Sequence, residues 1–101
     1  MRRVSELEVY ARRAWLILLK ETGRSFQVVV KYYVADPLRV TVEDGPFAKR
    51  REFMERFRNV FGEAVWAVFR RAMRSVVERY GLPKDTLSYF LVEEGPRSYR
   101  P

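Results

Sequence analysis

The chain of 101 residues contains neither cysteine nor histidine. That excludes disulfides and thiolate metal sites, and it removes the commonest general base and the commonest neutral metal ligand. Twenty basic residues against 13 acidic ones give a net charge of +7, and 48% of the residues are apolar, which implies one domain with a real core and a surface attractive to anions.

No apolar run approaches the ~20 residues that a membrane-spanning helix requires. Met1-Arg2-Arg3 is followed by Glu6 and Glu8, not by an apolar core with a cleavage site. No signal peptide is read there, and a cytoplasmic location is expected. Sixteen of the cations are Arg, and the only side-chain amides are Gln27 and Asn59. Few labile side chains among many charges fit a thermophile.

The first predicted element is a helix over 5–22. Ser5 and Glu8 have the spacing of a capping box, and Leu7, Ala11, Ala14, Trp15 and Leu18 share one face. Gly23 is the expected stop. A strand through Trp15–Leu19 is the competing reading, which the capping signals disfavour. Phe26–Val34 then alternates, with Phe26, Val28, Val30, Tyr32 and Val34 on one side, and predicts a strand. Ala35-Asp36-Pro37 reads as a tight connection. Leu38, Val40 and Val42 continue into a second strand.

Asp44, Gly45 and Pro46 stop that strand and start a helix. The apolar stripe before Gly62 points about 90° away from the stripe after it, counted at ~100° per residue. Two helices, about 46–60 and 63–80, are therefore expected. The second carries two apolar stripes. Phe61, Ala64, Val65, Val68, Ala72 and Val76 form the one expected to face the core. Trp66, Phe69, Met73, Val77 and Tyr80 form the other. Together they exceed what one buried face needs. The second stripe is either covered by another helix of the chain or left open for a partner or a second copy. Gly81-Leu82-Pro83 ends the helix. Leu87–Val92 reads as a last strand.

The expected fold is α+β, in the order α-β-β-α-α-β, with a three-stranded, mainly antiparallel sheet packed on one face by helices. A single domain over 1–92 and a flexible tail over 93–101 are expected. No glycine-rich phosphate loop occurs. Asp36, Asp44 and Asp85 fall at turns or helix starts, where capping explains them. No catalytic residue, cofactor or metal site is predicted.

Two features point to nucleic acid. One is the helical cluster Lys49, Arg50, Arg51, Arg56 and Arg58, extended by Arg70, Arg71 and Arg74, since Arg suits bidentate phosphate contact. Helical pairs such as Glu52–Arg56 and Arg74–Glu78 would instead make it a neutralised surface. The other is the mixed face Gln27, Lys31, Tyr33, Arg39 and Thr41, an aromatic among cations. The expected function is a non-catalytic nucleic-acid-binding protein, RNA or DNA. The alternative is a protein-interaction or accessory subunit, a homodimer or part of a larger assembly, using the 66–80 edge. An enzyme built on carboxylates and Arg finds no support beyond the presence of those residues.

Overall fold

The computed structural model describes residues 3–91, and every element in that range is helical. The expected sheet does not form. The tail expected over 93–101 and Val92 of the last predicted strand lie outside the described residues. Helix α1 spans Val4–Thr22, close to the predicted 5–22. Its cap sits earlier than the Ser5–Glu8 box: the Arg3 backbone N–H donates to Glu6 Oε1 at 3.2 Å. Gly23 follows at φ 86° and hands the chain directly to α2, Arg24–Val30. Gln27 Nε2 donates to Leu19 O at 3.0 Å, a carbonyl that also accepts the Gly23 N–H, and so ties α2 to the last turn of α1.

Phe26–Val34, predicted as a strand, is helical for a reason visible in its burial. Val30 and Val34 are buried, with Phe26 and Leu38 half-buried beside them, at steps of four. A period of four is contained in a period of two, so these positions fit either structure. Only Val28 and Tyr32 discriminate. A strand would bury them, and they are 43% and 63% exposed.

After α2 the helix widens into a π turn, Lys31–Ala35, and tightens again in α3, Asp36–Leu38. Pro37 explains the widening. It has no N–H to give to Tyr33 O, four residues back, and its ring crowds that carbonyl. The Asp36 N–H reaches back five residues to Lys31 O. Arg56 Nε, from a distant helix, donates to Tyr33 O at 2.7 Å and takes the place of the missing amide. Arg56→Ala is therefore expected to lower stability by about 1 kcal/mol. In a Pro37→Ala background, where residue 37 regains its N–H, the same change should cost less. Urea unfolding of the four proteins of that cycle measures the difference.

Arg39 ends the helix in the left-handed region, at φ 59°. Its N–H bonds Asp36 O, and the Val40 N–H bonds Ala35 O. This is the paired closure usually built around Gly. The second predicted strand is instead an irregular stretch, fixed by Trp15 Nε1 donating to Val42 O at 2.8 Å.

Helix α4 is short, Gly45–Ala48, with Asp44 before it and Pro46 in its first turn, as the sequence signals indicate. Helix α5 runs Arg50–Arg79 and breaks at Gly62, at φ 83° and ψ 176°. The break at Gly62 is the expected one, but the helix expected over 46–60 is divided at Lys49, at φ −137°, between α4 and the first half of α5. The last predicted strand is a 3₁₀ segment, Lys84–Phe90. Thr86 and Tyr89 are buried at the spacing of three that this helix eclipses.

The core is aromatic. Trp15 sits in its middle, with ring centroids of Phe53, Phe90 and Phe69 at 5.9, 6.2 and 6.3 Å. Phe57 joins Phe26, Phe61, Trp66 and Phe69 on the other side. Arg79 clamps Glu21 through two bonds of 2.9 and 2.7 Å, tying the end of α1 to the end of α5. That bond holds the Glu21 carboxyl below the usual carboxylate range.

Candidate nucleic-acid interface

The predicted basic cluster divides at Gly62. On the first half of α5 and just before it, three cations end on backbone carbonyls. Lys49 Nζ donates to Leu38 O at 3.0 Å, Arg50 Nε to Tyr89 O at 2.9 Å, and Arg56 Nε to Tyr33 O. Leu38 O and Tyr89 O lie at the ends of helical segments, where the backbone dipole favours a positive charge, and Tyr33 O is the carbonyl that Pro37 leaves without its amide. Arg50 also lies over the Tyr89 ring, at 4.6 Å. These three side chains hold the chain together before they can do anything else. Arg51 is exposed on the same half. Arg58 bonds Glu63 through Nε at 2.9 Å and covers the Trp66 ring at 5.2 Å. The Arg58 bond, aided by the charge of Arg70, holds the Glu63 carboxyl below its usual range.

On the second half, Arg70, Arg71 and Arg74 share one arc of about 100°. Arg71 and Arg74 are exposed, and Arg70 is half-buried. None of the three forms an ion pair among the described residues. Arg70 Nε is buried without a hydrogen-bond partner among them. The helical pairs that would neutralise the cluster, Glu52–Arg56 and Arg74–Glu78, are not made: Arg56 turns to Tyr33 O, and Arg74 stays open beside Glu78. Lys84, which the sequence reading passed over, stands next to Arg74 across a groove of about 150 Å³, shared with Val77, Glu78 and Leu87. Its position after the Pro83 turn is what returns it to α5, and no periodic signal in the sequence marks it.

The second predicted feature loses its sheet. Lys31, Tyr33 and Arg39 are all exposed, but on helical turns. Lys31 Nζ pairs with Asp36 at 3.0 Å and sits 5.1 Å from the Tyr32 ring. Arg39 occupies the left-handed position that ends α3. Gln27 and Thr41 are used locally, Gln27 on Leu19 O and Thr41 Oγ1 as acceptor from the Asp44 N–H.

The residues expected as a partner interface lie mostly inside the chain. Trp66, Phe69, Met73 and Val77 are buried, and only Tyr80 is exposed. The two stripes have exchanged roles in part: of the one expected to face the core, Val76 is buried and Phe61 and Ala72 are half-buried. That stripe leaves Val65 and Val68 in solvent, along with Ala64. Seen end-on, the second half of α5 carries a buried aromatic arc, a basic arc, and an exposed aliphatic arc. Trp66 Nε1 reaches no acceptor among the described residues.

Among those residues no three acidic side chains gather as a metal site, and no helix is long and apolar enough to cross a membrane. No protein-family model, curated protein or solved structure matches the chain.

Proposed function

We propose that this is a non-catalytic, cytoplasmic binding protein for nucleic acid, RNA or DNA, that contacts phosphates through Arg70, Arg71, Arg74 and Lys84. The observation that supports it is the open basic arc of α5. Three guanidinium groups follow one another on a rigid helix, none of them in an ion pair among the described residues although Glu63 feels the charge of Arg70, and a fourth cation returns from the next segment. Arg presents a planar fork that matches phosphate oxygens. A net charge of +7 adds attraction at longer range.

Fluorescence anisotropy with a labelled mixed-sequence DNA or RNA, titrated at several salt concentrations, tests the proposal. Affinity should fall steeply as salt rises. Arg71→Ala and Arg74→Ala should each lower it and reduce the slope of log K against log salt by about 1. Arg56→Ala, which removes a carbonyl clamp, should reduce stability more than affinity. No binding at low salt, or equal binding by Arg71→Ala/Arg74→Ala and the parent, would sink the idea.

A further inference from the structure

Helix α2 and the π turn after it are apolar on both sides. Val30, Val34 and Ala35 enter the core. On the opposite side Val28, Val29, Tyr32 and Tyr33 occupy successive turns and face solvent; Val29 is 39% and Tyr33 57% exposed. A surface helix normally places polar residues there. Two exposed tyrosines beside exposed valines make an apolar patch with the aromatic enrichment of an interface centre.

The charges around this face indicate what covers it. Beside it runs a cleft of about 360 Å³ lined in part by Arg24, Lys31, Asp36 and Glu43. The two signs are balanced, and Asp36 already neutralises Lys31. A polyanion would find no excess of positive charge here. Arg24 and Glu43 lie on this one cleft, and neither forms an ion pair among the described residues. Unpaired charges of opposite sign on one face are complementary to a second copy of that face, because an isologous contact that pairs i with j also pairs j with i. We infer that the Val28–Tyr33 face is a homodimer interface, with an apolar centre of Val28, Val29, Tyr32 and Tyr33 closed at its rim by reciprocal Arg24–Glu43 pairs. It is distinct from the basic arc of α5, so dimer formation and nucleic-acid binding can fail independently.

Light scattering after size exclusion, over a wide range of protein concentration, reads the mass of the intact chain. The expected result is twice the chain mass. Val29→Glu or Tyr32→Glu should abolish the dimer while the helical circular dichroism remains. Val68→Glu, on the exposed aliphatic arc of α5, should leave the dimer intact. Arg24→Glu should weaken the dimer, and adding Glu43→Arg should restore it. That charge exchange decides the question even where a glutamate in the apolar centre disturbs folding. A monomer at every concentration overturns the inference, and so does a dimer indifferent to Val29→Glu and to Arg24→Glu. Quenching of tyrosine fluorescence by single-stranded DNA in a monomeric protein, lost in Tyr32→Ala, also overturns it and makes the face a base-stacking surface.

Discussion

Trp15→Ala is expected to cost about 3–5 kcal/mol, enough to consume most of the ~5–15 kcal/mol by which a domain is normally stable. Three causes add. The indole is fully buried among Phe53, Phe69 and Phe90. Those rings belong to both halves of α5 and to the 3₁₀ segment, so collapse around the vacancy would require several elements to move at once. Trp15 Nε1 also supplies the hydrogen bond to Val42 O, which fixes the irregular stretch before α4. Trp15→Phe separates these effects. It keeps most of the ring contact, leaves Val42 O unpaired, and should cost about 1–3 kcal/mol. Thermal unfolding followed by circular dichroism measures both. If Trp15→Phe were as stable as the parent, the indole hydrogen bond would not be what holds residue 42.

Elements with two independent signals were legible in the sequence. Helix α1 had an apolar face and a terminal glycine, and α5 had a change of phase centred on Gly62. The region from 24 to 43 misled because its apolar residues satisfy two periods at once. Phe26, Val30 and Val34 lie on one side of either a strand or a helix. A run of valines and tyrosines raises strand propensity, but propensity yields to tertiary contacts. Here those contacts are the packing of Phe26 against Phe57 and the Arg56 bond to Tyr33 O, which join residues far apart in the chain. Pro37 after Asp36 has the sequence signals of a turn. It acts inside a helix, because a π turn and a borrowed guanidinium absorb its defect.

The candidate site was legible in part, for a related reason. Composition identified the arginines but not what they face. Lys49, Arg50 and Arg56 look the same in the sequence as Arg71 and Arg74, and differ only in having a backbone carbonyl within reach. Likewise, the wheel of residues 63–80 displayed two apolar stripes without indicating which one the core would take. The aromatic stripe is buried because Trp66 and Phe69 reach Phe57 across the Gly62 break, while the smaller Ala64, Val65 and Val68 remain outside. Burying the larger surface releases more water-exposed apolar area, a criterion available from side-chain size alone.

Gly45→Ala should destabilise the protein by about 2–3 kcal/mol, although the sequence presents this glycine only as a helix-start signal. Its backbone angles are open to any residue, so conformational freedom is not the reason. Space is. Gly45 is buried, and a methyl group there would overlap the edge of the Phe53 ring and crowd Val40. The ring cannot easily retreat, because Phe53 is itself fully buried and meets Trp15 edge-on at 87°. Pro46 and the Gly45 N–H bond to Thr41 O keep the backbone of α4 from backing away. The strain should therefore pass into the Trp15 cluster, or α4 should lift from it. Phe53→Leu removes the overlapping ring edge at its own cost, so the double variant should be more stable than the two single effects predict together. Urea unfolding of the four proteins gives that coupling. A strictly additive result would show that the Phe53 ring is free to swing aside, and that the close approach at Gly45 does not fix the position of α4.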